Sequence, residues 1–590
     1  MEFSYIKNDN RKLFTSLVEN NLLNVSQCQN YIPLYEKFFT INNTNCNTIN
    51  LNNLYSLHSI KSKETDNIYN GIVLNQTSGL KVKKDIFFKF SPLLDPIKYL
   101  IGKYDISNVN LLNLPQYGGS VNMPTEIEKD KIGKIKTFDQ NNSAYVDGFF
   151  NYLTSKMLHL HGFKHGLDFY GSFLSFKNDF SVEVTDDIEY MCESTFFNNN
   201  KNILYTIDES QKNNFLNNDT KTNKPKLKLE NSDSTLILRL SDINDLSHLD
   251  TIFSSVDNNS PISQPSVEFE CPSKKKDKKV ENDSDNESRS SCSSRFSNTD
   301  DEDNEENEEE ENEENEEEEN EEEESDSSSY DCEKQLFVKI KSFPVHVISL
   351  ECCEGTLDSL VENNDDPIND ENWDSIVLQI LMTLITYQQC FHLTHNDLHS
   401  NNIMYMKTDE PFLYYKVDEK YYKVPTYGRI FKIIDFGRAI YKFRGNLMCS
   451  DSYQKAGDAA GLYNIEPYFN KKKPLLEPNY SFDLCRLGCS LFDTIVDDIN
   501  DVDDIKSPIL KIITDWCKDD KDKNIMYKIN GDERYPDFKL YKMIARLVHN
   551  HTPLNVLRNN HFNKYALNKK KIKGLKDITI MNIDDLPCYV

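Results

Sequence analysis

Glycine is scarce in this chain, 19 among 590 residues, and tryptophan occurs only twice. The scarcity counts most where glycine would have a job. No stretch spells the G-x-G-x-x-G pattern that lets backbone amides close on a phosphate. The nearest approach, IYNGIVLNQTSG (Ile68–Gly79), sets Gly71 and Gly79 on either side of a β-prone run, too far apart for such a loop. The 14 cysteines show no paired metal-ligand spacing. Cys352–Cys353, Cys485 and Cys489 sit in apolar surroundings, so zinc is not expected and buried free thiols are. The opening MEFSYIKNDN has no signal-peptide pattern, which points to a reducing, intracellular setting. No apolar run reaches the roughly 18 residues needed to span a bilayer, so a soluble protein without membrane contact is expected.

Basic residues are also outnumbered, 67 against 96 acidic, for a formal charge of −29. The imbalance is local. From Asp300 to Glu324 every residue is Asp, Glu or Asn, 20 of them acidic, and without this run the charge is −9. The low pI therefore describes one segment and implies no nucleic-acid-binding surface.

Composition divides the chain. Residues 1–54 are rich in Asn and read as an extension without assigned function. From 55 the pattern is globular. DIFFKFSPLLDP (Asp85–Pro96) reads as a strand ended by a proline break. SAYVDGFFNYLTSKMLHLHG (Ser143–Gly162) has a Ser start, apolar spacing of three and four, and a terminal Gly, all helix signals, weakened by the internal Gly148. LDFYGSFLSF (Leu167–Phe176) reads as a strand. From about 183 to 334 the sequence turns to Asn, Ser, Lys and Glu, with too little apolar surface to offset its conformational entropy, so a long disordered insert is expected. Order resumes with two strand-like stretches, QLFVKIKSF and PVHVISLECC, followed by a helix. Residues 373–392 carry a helical apolar stripe that should be buried.

Directly after that helix comes THNDLHSNNIMY (Thr394–Tyr405), with Asp397 followed five residues later by Asn402. About thirty residues on, GRIFKIIDFGRAI (Gly428–Ile440) is an apolar strand run ending in Asp435-Phe436-Gly437. An aspartate, an asparagine at plus five, and DFG at a strand end match a signature spacing too specific for ordinary polar turns. In these motifs the chain resembles the eukaryotic serine/threonine protein-kinase superfamily. In its asparagine bias, its long insertions and the wording HNDLHSNN it looks most like the divergent, mimivirus-like kinases of giant DNA viruses. The resemblance covers about 55–180 and 335–565.

It implies an α+β class and a bilobal protein-kinase-like fold. The small β-rich N-lobe would span 55–350 and carry the disordered acidic insert at about 183–334. The mainly helical C-lobe would span 351–590. The implied activity is transfer of the γ-phosphoryl of ATP to Ser or Thr hydroxyls of protein substrates, with ATP and Mg²⁺ as cofactors and a monomer as the acting form. By resemblance Asp397 is the catalytic aspartate, Asn402 and Asp435 are metal ligands, and Lys89 in IFFKF holds phosphate. Asp147 replaces the usual glutamate partner of that lysine and, one methylene shorter, needs a closer approach. Leu350 takes the gatekeeper place, and backbone groups from Glu351 to Cys353 would bind adenine. Asp483, in NYSFDLCRLGCSLFD (Asn479–Asp493), would brace the catalytic loop through backbone amides. RYPDFKLYKMIARLVHNHTPLNVLRNNHF (Arg534–Phe562) supplies closing helices of the large lobe.

The chain also departs from the pattern. Asn396 stands where an arginine usually precedes the catalytic aspartate, so activity would not wait on phosphorylation of the activation segment. His399 stands two after Asp397, where protein kinases usually have lysine. It can donate a hydrogen bond to the transferring phosphoryl group, with less charge at neutral pH. The same D-L-H wording occurs in haspin-like kinases and in small-molecule kinases of the aminoglycoside and choline type, which leaves the substrate class open. A catalytically weak scaffold presenting an acidic tail is the third reading. His395 reads as a packing residue, and Asp409–Arg429 as an extended β-hairpin. No clean A-P-E stands between Arg438 and Pro474; Ile465-Glu466-Pro467 is the nearest trace and Glu477-Pro478 another. The acidic run offers attraction to basic proteins, and Ser284, Ser297 and Ser328, each with an acid three residues on, fit acid-directed phosphorylation.

Overall fold

The computed structural model describes residues 2–108, 110–118, 136–207, 336–363, 367–496, 498–568 and 578–590. The acidic run and the three serines noted above lie outside the described residues. No described helix is long and apolar enough to cross a membrane. The fold is mixed, β-rich in its N-terminal part and helical in its C-terminal part.

The first 54 residues are not an appendage. They form β1 (Tyr5–Lys7), α1 (Arg11–Glu19), β2 (Val25–Gln29) and β3 (Ile49–Leu51), and Phe3, Leu17, Tyr31, Leu34 and Tyr35 are buried. β2 becomes the edge of the main sheet. That sheet continues with β4 (Tyr55–Lys63), β5 (Ile68–Asn75) and β6 (Lys81–Pro92). Beyond α2 (Pro96–Leu100) and α3 (Ser143–His161) it gains β7 (Phe169–Glu183). Residues expected to be disordered from 183 instead fold as α4 (Ile188–Glu193), α5 (Thr195–Asn200) and β8 (Tyr205–Ile207). Met191, Cys192, Phe197 and Tyr205 anchor them in the core. The last strand is β9 (Phe337–Glu351), one strand where two were expected, because Pro344 falls where the β6 ladder ends and its carbonyl accepts from Leu93 N at 3.0 Å. The order is β2-β7-β9-β6-β5-β4, antiparallel throughout, with β8 also pairing β9.

Strand alternation sends Ile86, Phe88, Val345 and Val347 to one face, where α1, α2, α4 and α5 supply Leu17, Ile97, Met191 and Phe197. Lys89 and Ile348, directly opposite each other, point to the other face, against α3. α3 starts where its signals placed it, with the Asn142 side chain capping Ala144 N at 3.0 Å, and ends at Gly162 with φ +64°. Gly148 earns its place by proximity: a Cβ there would lie 2.3 Å from His346 Cε1. The missing side chain lets α3 lie close on β9.

The C-terminal part begins with β10 (Gly355–Thr356), α6 (Leu357–Val361) and the buried α7 (Asp370–Phe391). β11 (Ile403–Lys407) follows the opening loop. β12 (Phe412–Val417) and β13 (Lys420–Pro425) form the expected hairpin, turned by Asp418 and Glu419 at positive φ. Its Tyr415 and Tyr422 are buried, which makes the hairpin a packing element. β14 (Arg429–Ile433) pairs β11, setting Ile433 opposite Ile403. β15 (Ile440–Phe443) and β16 (Asn446–Cys449) form a second hairpin, and α8 (Phe482–Ile495), α9 (Pro508–Asp515), α10 (Phe538–Leu547) and α11 (Pro553–Leu557) complete the helices. β17 (Met581–Asn582) returns to pair β12.

Candidate active site

The loop after α7 and the turn after β14 come together beside the lysine strand β6 and α3. The β11–β14 pairing does the first positioning. Asn402 immediately precedes β11, Asp435 lies two residues past the end of β14, and Ile434 N donates to Asn402 O at 3.0 Å. Asp435 sits at φ +62°, a left-handed conformation that turns its carboxylate out of the strand line. Lys89 Nζ reaches it from β6 at 2.9 Å and reaches Asp147 of α3 at 2.8 Å. Asp147 is almost fully buried. Its second oxygen accepts from Phe436 N at 2.8 Å and Asn151 Nδ2 at 3.0 Å. One carboxylate thus joins the helix, the sheet and the DFG turn, through the approach that Gly148 permits.

The charges follow from this packing. Burial opposes the Lys89 charge, but Asp147 and Asp435 together raise its pKa above the ordinary lysine value. Burial also works against ionised Asp435, and Lys89 overrides it, so this carboxyl titrates well below the usual range. Asp147, deepest of the three, is raised by burial despite Lys89.

Asp483 braces the opening loop. Fully buried at the start of α8, it accepts from His395 N at 2.9 Å and Asn396 N at 2.8 Å. His395 packs as expected, its Nε2 donating to Ile434 O at 2.8 Å and its ring beside Phe436. Asn396, at φ +64°, spends its side chain on Thr394 O, Arg438 O and Tyr463 Oη.

Asn402 Nδ2 donates to Asp397 O at 2.9 Å and to His399 Nε2 at 3.0 Å. His399 Nε2 must therefore accept, so its hydrogen is on Nδ1. Burial lowers its pKa, against the pull of Asp397, and keeps the ring neutral. His399 thus orients Asn402. The β11–β14 pairing brings Asn402 and Asp435 to the same end of two neighbouring strands, and an amide oxygen and a carboxylate are the kind of hard-oxygen donors that suit Mg²⁺. Among the described residues no group of three or more His, Cys, Asp or Glu could hold a metal by itself.

No protein-family model matches the chain, and no curated protein matches it. The site stands on its geometry.

Glu351 and Cys353 fall at the end of β9, beside Leu350, which faces Phe87. The Glu351 carboxylate is committed to Lys432 and to Asp168 N, and its N–H donates to Asp168 O at 2.9 Å. Cys353 is half-buried. Gly71 and Gly79 serve the fold: Gly71 makes room for Ile86 and Gly79 turns the chain at φ +72°. The turn between β4 and β5 contains no glycine. Glu466 is exposed.

Sequence reasoning missed the groups around Asp397. Arg438 Nη1 lies 3.3 Å from Asp397 Oδ1, and Tyr541 Oη donates to the same oxygen at 3.2 Å. Arg438 directly follows the DFG triplet, a signal that was available; nothing local marks Tyr541, which arrives on α10. Asp451, buried after β16, accepts from Ser143 N at 3.0 Å and pairs with Lys136 at 3.3 Å, tying this segment to the start of α3.

Proposed function

We propose that this protein is an ATP-dependent kinase of bilobal, protein-kinase-like fold that phosphorylates Ser or Thr hydroxyls on proteins. The observation that carries the reading is the shared lysine: Lys89 is held between the helix carboxylate Asp147 and the DFG carboxylate Asp435. Kinases require both of these groups in place at once. The sheet order, with α3 against the lysine strand, and the Asp483 brace support the same reading.

In this mechanism Lys89 binds phosphate oxygens of ATP. Asn402 and Asp435 would hold Mg²⁺, which neutralises phosphate charge when bound. Asp397 accepts a hydrogen bond from the acceptor hydroxyl and orients it. That oxygen bonds to the γ-phosphorus as the bond to the β,γ-bridging oxygen breaks. ADP leaves, and the hydroxyl proton passes to Asp397. His399 and the Asp397 carbonyl keep Asn402 in place. A glycine-poor cover turn leaves phosphate binding to Lys89 and the metal.

A second reading, the same transfer to a small-molecule hydroxyl, draws on the neutral His399, which supplies no charge at the place where protein kinases carry lysine. Calorimetric titration with ATP tests the shared step. Binding should require Mg²⁺ and be abolished by Asp435→Asn. Absence of ATP binding, or binding indifferent to both Mg²⁺ and this substitution, would overturn the proposal and leave the scaffold reading.

A further inference from the structure

The loop that carries Asp397 has no lysine or arginine of its own. Asn396 precedes it, and two residues on is His399, whose Nε2 is occupied by Asn402. A positive charge nevertheless reaches the aspartate from outside the loop. Arg438, only 10% exposed, places Nη1 3.3 Å from Asp397 Oδ1. Its guanidinium is pinned along the other edge, where Asp458 Oδ2 accepts from Nε at 3.2 Å and Nη2 at 2.8 Å. Its carbonyl accepts from Tyr453 Oη at 2.5 Å and Asn396 Nδ2 at 3.0 Å, which fixes the backbone from which the side chain departs. Tyr541 completes the arrangement. It donates to Asp397 Oδ1 and accepts from Arg486 Nε at 2.8 Å.

We infer that Arg438 is the positioning residue that aims Asp397 and brings to it the positive charge that the loop lacks. The inference rests on the phosphoryl-transfer reading above. With Arg438 and Tyr541 both on Oδ1, the carboxylate cannot rotate freely, and Oδ2 is the oxygen presented to an acceptor hydroxyl. A guanidinium locked by Asp458 keeps this geometry at little entropic cost, because its planar fork is already oriented. The charge on Arg438 also lies beside the centre where negative charge gathers during transfer, and a fixed cation there stabilises the transition state.

The test is steady-state release of γ-phosphate from ATP with Mg²⁺, to casein or to water, by the full chain. Arg438→Met should lower kcat about 100-fold while the KM for ATP stays within about twofold. Arg438→Lys, which keeps the charge but loses the fork, should recover part of that loss. Because Arg438→Met strands the half-buried Asp458, the pair Arg438→Met/Asp458→Asn is measured too, with thermal midpoints. It should fold like wild type and remain slow. Turnover by Arg438→Met equal to or above wild type would overturn the inference, the higher value marking Arg438 as a plug. Recovery of full turnover in the pair would also overturn it, by showing a purely structural role. A wild-type chain without any phosphate release would remove the phosphoryl-transfer reading, and this inference with it. Release by wild type that Arg438→Met leaves intact would remove the inference alone.

Discussion

Gly148 and Asp147 make a coupled pair whose disruption can be worked through in distances. An alanine at 148 places its Cβ 2.3 Å from His346 Cε1. His346 cannot step aside: it is buried in β9, and its Nδ1 donates to Ala144 O at 2.8 Å. Ordinary carbon contact needs about 3.5 Å, so α3 must retreat by roughly 1 Å. The Lys89–Asp147 contact of 2.8 Å would then pass beyond hydrogen-bond reach. Alanine's better helix propensity returns about 1 kcal/mol against an overpacking cost of about 1–3 kcal/mol. Stability should therefore fall by no more than about 2 kcal/mol, while ATP affinity and turnover fall at least tenfold. Asp147→Glu alone should also impair function, because the extra methylene has no room in the wild-type spacing. Combined, Gly148→Ala and Asp147→Glu should restore the ion pair, since the longer carboxylate spans the wider gap. A double-mutant cycle of ATP affinity reads the coupling directly. Wild-type affinity in Gly148→Ala, or simple additivity in the double variant, would refute the reasoning.

Further outcomes follow from other parts of the molecule. Asp483→Asn leaves one of two buried amides without an acceptor and faces it with a donor, which should cost about 3 kcal/mol in denaturant unfolding and slow turnover; an unchanged midpoint would count against the brace. Burial holds His165 and His346 neutral, with pKa values lowered from 6.5 to about 4. The unfolded chain gains a proton at each near pH 6.5 and the folded chain does not, so stability holds above that pH and falls as pH drops toward 4, by about 3 kcal/mol per histidine. A flat stability profile from pH 7 to 4.5 would contradict it. Deleting residues 2–53 strips Phe3, Leu34 and Tyr35 from the core and Asn52 from Tyr152 and Lys156. It should cost more than about 5 kcal/mol, and an unaltered thermal midpoint would show the segment to be dispensable.

Legibility tracked how local each determinant is. The helix 373–392 and the loop after it could be read because apolar periodicity and short spacings act within a few turns of chain. The bracing role of Asp483 could be read only through its motif, since its partners lie almost ninety residues earlier. The N-terminal segment was misjudged because abundant Asn masks a few well-spaced apolar residues, Leu17, Tyr31 and Leu34 among them, each of which finds a buried place. Residues 188–207 were misjudged for the same reason. Gly148 looked like a weakness in a helix; its value lies in the distance to a strand almost two hundred residues away. Arg438 could have been suspected from its place directly after the DFG triplet, but nothing in the local sequence announces that Tyr541 reaches Asp397 from a distant helix.

The most direct test of the central claim is transfer of labelled γ-phosphate from ATP with Mg²⁺ to a mixed protein substrate, comparing wild type with Asp397→Ala. Asp397 lies in a loop and is partly exposed, so its removal should leave folding intact. The account predicts label on Ser or Thr with wild type and none with the variant. A wild-type chain that binds ATP yet transfers nothing, or an Asp397→Ala variant that labels protein as fast as wild type, would contradict it.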